Sequence, residues 1–223
     1  SDMHNHRIQK WIKGATFGET VAGGNDYGSD SNQLNEPGKI AVDALGTIYI
    51  ADSENNRIQK WYKGAKEGET VAGGNGRGNA LNQFDNPFVI ALDNDGFLYV
   101  SDIENHRVVR WDPSAKEGII VAGGNGNGNH SNQLSYPMGI VLDENKNLYV
   151  ADTYNHRVQL WTPEDKNGIT ILSADDIDFQ SFNFFTGISV YKKNRLYLSD
   201  YEKRQVVEFD MVSESSKIVA GGN

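Results

Sequence analysis

Three histidines, His6, His106 and His156, stand in one local sequence, each preceded by Asn and followed by Arg, and are the first candidates for metal chemistry. A zinc site needs its ligands within about 2.0–2.1 Å of one point. Repetition along a chain supplies no such convergence, and the flanking Asn and Arg instead predict a hydrogen-bonded corner. In that corner Asp52, Asp102 or Asp152 accepts from turn N–H groups or from the nearby Arg57, Arg107 or Arg157. Asp175, Asp176 and Asp178 offer hard oxygen ligands, but the Gly and distal Glu of a calcium loop are missing. They read as a solvated acidic turn, followed by Phe179, Phe182, Phe184 and Phe185 as an apolar plug. Asp93-Asn94-Asp95-Gly96 reads as a hairpin turn. There is no cysteine, which excludes thiolate catalysis, disulfides and zinc-thiolate sites. No Ser-His-Asp or paired-carboxylate arrangement can be assembled, so no catalytic residue, metal or cofactor is assigned.

Other side chains suit recognition better than reaction. The Gly/Asn-rich loops at 23–37, 73–87 and 123–137 mimic phosphate loops, yet they lack the Lys-Ser/Thr and the helix that phosphate binding requires. Positive-φ turns explain their glycines. Inside a constant frame, Asp26, Tyr27, Arg77, Asn127 and His130 differ from loop to loop, and variation on a fixed frame is how loop surfaces acquire specificity. Tyr27, Arg77, His106, His130, Tyr154 and His156 are therefore the expected contact surface for a partner. Trp11, Trp61, Trp111 and Trp161 resemble stacking platforms, but one aromatic at a fixed strand position more simply fills the wedge between neighbouring sheets. Phe209 stands at the matching place, which supports packing. Tyr49, Tyr99, Tyr149 and Tyr197 are expected in the core by the same logic.

What positions these residues is a repeat. The four Trp recur every 50 residues, in register with Asp2, Asp52, Asp102, Asp152 and Asp200 and with VAGGN at 21–25, 71–75, 121–125 and 219–223. One unit contains strands a to d at 38–43, 48–52, 57–61 and 69–73, split by Gly, Asp and Asn. Four short strands per 40–50 residues are the arithmetic of a β-propeller blade, and the 3.6-residue rhythm of helical repeats is absent. The segment PMGIVLDENKNLYVADTYNHRVQLW, Pro137 to Trp161, resembles the NHL repeat, carried also by Asn5-His6-Arg7 and Asn105-His106-Arg107. Asn55-Asn56-Arg57 is a near match, and Lys203-Arg204-Gln205 has lost the motif. The resemblance covers essentially the whole chain. It implies a propeller used for protein or RNA binding and, in a minority of members, for catalysis such as zinc-assisted lyase chemistry.

The expected fold is all-β, a single domain over 1–223: a c–d hairpin at 1–25, then four full blades of four antiparallel strands at 26–75, 76–125, 126–173 and 174–223. The surplus hairpin has no a–b pair, and Ser1 is not an initiator Met. This predicts a piece cut from a longer array or, alternatively, copies that complete one another head to tail by edge pairing. A net charge of −9 opposes nucleic acid and anionic membranes, and no apolar run long enough to span a bilayer occurs. Asn129-His130-Ser131 is a lone sequon, an N-glycan acceptor if the protein is secreted. The reading is a non-catalytic scaffold that binds protein partners, or itself, through one face, with an extracellular setting favoured. A metal-assisted lyase or hydrolase at a central channel and an RNA-binding domain are the alternatives.

Overall fold

The computed structural model describes residues 1–173, 184–191 and 194–222. Its strands follow the sequence punctuation closely. A hairpin of β1 (Arg7–Lys10) and β2 (Glu19–Gly23) comes first. Next come β3 (Pro37–Val42), β4 (Ile48–Asp52), β5 (Arg57–Trp61) and β6 (Glu69–Gly73), then β7 (Pro87–Leu92), β8 (Leu98–Asp102), β9 (Arg107–Trp111) and β10 (Ile119–Gly123). The last two groups are β11 (Pro137–Leu142), β12 (Leu148–Asp152), β13 (Arg157–Trp161) and β14 (Ile169–Ser173), and β15 (Phe185–Tyr191), β16 (Arg195–Asp200), β17 (Gln205–Asp210) and β18 (Ser215–Gly221). Each group of four is one sheet with strands in chain order, an antiparallel meander.

Strand a begins and ends one residue before its expected bounds, for a local reason. Pro37 pairs with Asp52 at the strand start, where a missing N–H costs no ladder bond. Asp43 leaves the strand to cap the turn, its Oδ1 accepting from the N–H groups of Leu45 (2.9 Å) and Thr47 (2.8 Å). Asp93 does the same for Asp95 and Phe97, so that stretch is the hairpin turn expected of it. Between strands b and c the chain makes a short 3-10 turn, at Met3–Asn5, Ser53–Asn55, Ile103–Asn105 and Thr153–Asn155, that the sequence pattern did not reveal.

The chain divides into two compact units, residues 1–104 with 110–119, and residues 105–109 with 120–223. In the first, Ile8 and Ala22 of the hairpin pack on Leu34, Ile50 and Trp61. In the second, Tyr149, Ala151, Val158 and Leu172 pack on Phe185, Leu196, Leu198, Val207 and Phe209. Trp61, Trp111 and Trp161 are buried as wedge-fillers, and Phe209 replaces them in the last sheet. Trp11 is a correction: it is 62% exposed. Trp61 is held in its ladder opposite Ile48, whereas Trp11 lies beyond the end of β1 with no strand b beside it. Tyr49, Tyr99 and Tyr149 are core residues, but Tyr197 is only half-buried, with its hydroxyl donating to Glu208 Oε2 at 2.6 Å. Phe185 is fully buried as expected of the Phe plug. Asp175, Asp176, Asp178, Phe179 and Phe182 lie outside the described residues.

Candidate functional site

The corner begins at the aspartate that ends strand b. Asp52 Oδ1 accepts the Asn35 N–H at 2.6 Å, and its Oδ2 accepts Arg57 Nε at 2.7 Å and Asn55 Nδ2 at 2.8 Å. The guanidinium places three further donors on backbone carbonyls of the preceding loop, Ser29, Asp30 and Gln33. Asp152 repeats the arrangement with Ser135 N, Asn155 and Arg157, and Arg157 reaches the carbonyls of Asn129, His130 and Gln133. Asp102 Oδ1 takes the Asp85 N–H at 2.7 Å. Five donors in a rigid fork suit one Arg to clamp a carboxylate and a loop together. Asp52 and Asp152 are fully buried, and burial pushes both carboxyls above their ordinary value against the opposing pull of these donors. At Asp2, in the open hairpin, the hydrogen bonds from Arg7 and Asn5 hold the carboxyl below its ordinary value.

The second residue of the Asn-His-Arg motif closes the 3-10 turn in the left-handed region, at φ 50° for His6, 52° for Asn56, 52° for His106 and 51° for His156. His and Asn are among the few non-glycine residues enriched there. The side chain then bridges to the next loop: His6 Nδ1 accepts the Glu36 N–H at 3.1 Å, and His106 Nδ1 accepts the Tyr136 N–H at 3.3 Å. Asn56 Oδ1 accepts the Asn86 N–H at 3.0 Å. Asn can replace His because both present one acceptor at the same reach, which explains the near match of the motif at 55–57. These histidines act as acceptors within the frame.

The acceptance fixes a second left-handed residue before β3, β7 and β11, namely Glu36 (φ 47°), Asn86 (φ 57°) and Tyr136 (φ 49°). Tyrosine pays more than Asn in this region. Its ring is aimed into a stripe of aromatic side chains within the second unit. His106 lies 4.7 Å from Tyr136, Tyr136 lies 4.6 Å from Tyr154, Tyr154 lies 5.4 Å from Phe184, and Phe184 lies 6.4 Å from Tyr201, all between ring centroids. Tyr154 is 51% and Tyr201 74% exposed. In the first unit the matching positions carry Glu36, Glu54, Asn86 and Glu104.

Of the expected contact residues, His106 and Tyr154 join this stripe. His156 is exposed one turn away. Tyr27 is 70% exposed with its ring 5.7 Å from His6. Arg77 pairs with Asp85 at 2.8 Å, and His130 is exposed while its carbonyl is bound by Arg157. Sequence reasoning missed Tyr136 and Tyr201 and assigned Phe184 to the plug, whereas Phe184 is half-buried in the stripe. Aligning residues 36, 86, 136 and 184 would have exposed the signal, since that column reads Glu, Asn, Tyr, Phe.

In comparisons with known proteins, residues 34–61 and 134–160 match the NHL repeat family. No curated protein sequence matches the chain. Among solved structures, a nidogen/laminin complex aligns over 94% of this chain and 70% of its own, at 20% identity and a TM-score of 0.71. A streptogramin B lyase aligns over 100% of this chain and 64% of its own, at 13% identity and a TM-score of 0.64. Virginiamycin B lyase from Staphylococcus aureus aligns over 82% and 54%, at 14% identity and a TM-score of 0.56. At such identities the likeness shows the fold, a β-propeller of four-stranded blades, and the two matched stretches are NHL repeats.

Proposed function

We propose that this NHL-repeat β-propeller chain is a non-catalytic interaction module that binds a protein partner through the side bearing its b–c turns and d–a loops. The single observation that carries the reading is Tyr136, a bulky residue kept at φ 49° in a row of half-exposed rings. Strain of this kind costs of the order of 1–3 kcal/mol and persists where surrounding structure and use maintain it. Tyr and Trp are the side chains that most often anchor protein interfaces, because they bring large area at low entropy cost. Of the other expected contacts, His130 and His156 lie in the same unit as Tyr136, and Tyr27 and Arg77 lie in the first unit. The similarity to a structure of a nidogen/laminin complex is in keeping with a protein ligand.

The setting that suits this reading is extracellular, with Asn129, exposed in its loop, as the glycan acceptor on secretion. The test is a display-library selection for binders against the wild-type protein, read out on variants. Binders should lose at least about ten-fold in affinity on Tyr154→Ala or Tyr136→Ser, as hot-spot aromatics do, and keep it on Lys63→Ala. Binders indifferent to both tyrosines would reject the surface.

A further inference from the structure

Asn-Gly is the sequence in which a chain most readily attacks itself, because no Cβ shields the glycine nitrogen from the neighbouring side-chain amide. It occurs at 75–76, 125–126, 127–128 and 167–168. All of these asparagines are exposed, so exposure does not distinguish them. Their hydrogen bonds do. Asn75 Nδ2 donates to the carbonyls of Asn82 at 3.0 Å and Gly73 at 3.3 Å, and Asn125 Nδ2 to those of Asn132 at 2.9 Å and Gly123 at 3.3 Å. Each of these two amides is pinned across its own loop. Asn167 is held differently: its Oδ1 accepts from Ser131 Oγ at 3.2 Å, and the Gly168 N–H that follows it donates to the Ser131 carbonyl at 2.7 Å.

Asn127 has neither restraint. Among the described residues nothing bonds its side-chain amide, and the Gly128 N–H reaches only the Leu134 carbonyl at 3.4 Å, longer than such bonds ordinarily are. Packing imposes the glycine: a Cβ at Gly128 would overlap Gln133 Oε1, and Gly28 and Gly78 sit in the same way against Gln33 and Gln83. Before those two glycines stand Tyr27 and Arg77, which carry no side-chain amide. Each loop is closed further on by a fully buried apolar plug, Leu134 here and Leu34 and Phe84 in the other two. The frame therefore fixes the nitrogen in every loop, and only at 127 does the variable position supply a carbonyl for it to attack.

We propose that Asn127 is a self-modification site, at which the folded protein converts asparagine to aspartate and isoaspartate without an enzyme. Water or hydroxide takes the Gly128 N–H proton as the nitrogen attacks Asn127 Cγ. The N–Cγ bond forms, the Cγ–Nδ2 bond breaks, and Nδ2 leaves with a returned proton as ammonia. Water then opens the cyclic imide at either carbonyl, giving aspartate or, with the main chain routed through the side-chain carbons, isoaspartate. The net reaction consumes a water, releases an ammonia and leaves a new carboxylate two residues before Asn129. In the isoaspartyl product the main chain gains a carbon between the partners of the Asn127–Leu134 bridge, so that bridge loses its register. This chemistry is separate from the aromatic stripe and stands or falls without it.

The 223-residue protein, incubated in mildly alkaline buffer, is mapped by peptide mass spectrometry, with fragment ions separating position 127 from position 125 and an isoaspartyl methyltransferase reporting the isomer. Asn127 should convert first, with Asn75, Asn125 and Asn167 slower by at least about ten-fold, since each must first open its hydrogen bonds. In the urea-unfolded protein the rates at all of these positions should agree within about three-fold, because the shared Asn-Gly sequence then decides them. Asn127→Gln should remove the first acidic species on isoelectric focusing and leave the melting temperature unchanged. Conversion of any of the other asparagines as fast as Asn127 in the folded state, or an Asn127 that survives in the folded protein while it reacts in the unfolded one, would overturn the proposal.

Discussion

Asp152 and Arg157 show how much a buried pair depends on both members. Asp152 is fully buried and Arg157 nearly so, and the pair also anchors three loop carbonyls. Asp152→Ala leaves a guanidinium without its counter-ion, and a loss of about 3–5 kcal/mol is expected in denaturant unfolding. Asp2→Ala, in the exposed copy of the pair, should shift the midpoint very little. This corner was legible in the sequence because Asp and Arg recur in register. Tyr136 was not, for two reasons. Its column is the one that varies, and a residue before proline is ordinarily extended, whereas the His106 acceptor holds it left-handed. Tyr136→Gly relieves that strain while losing the ring contacts, so its stability should stay within about 1 kcal/mol of wild type. Binders selected on the surface should nonetheless be lost.

At the scale of elements, the strands could be read directly. Alternating apolar residues bounded by Gly, Asn and Asp place β4, β5 and β6 at the residues expected of them. The 3-10 turns escaped notice because three residues carry no periodicity, and what defines them is a left-handed end. The burial of Trp11 and Tyr197 was misjudged because a repeat column describes a position, whereas burial depends on what lies opposite. Plugs belong to this scale, since each locks a loop to a sheet. Phe84 is fully buried with its ring 5.5 Å from Trp111, and Phe84→Ala should cost about 3–5 kcal/mol in denaturant unfolding. A loss below about 1 kcal/mol would mean that the loop re-seats without its plug.

Across the whole molecule the surplus of nine negative charges is the dominant long-range feature. Self-repulsion weakens as ions screen it, so the melting temperature should rise as ionic strength goes from about 10 mM to about 150 mM. A fall would mean that surface pairs such as Arg77 with Asp85 and Lys217 with Glu208 outweigh the repulsion. The grip of Arg57 and Arg157 on loop carbonyls carries a consequence for this molecule as a chassis. A carbonyl is the same atom whatever side chain its residue bears, so the anchoring is blind to loop sequence. Grafting residues 26–30 in place of 126–130 should therefore yield a protein that melts where the parent does, yet displays a different set of fingers to its surroundings.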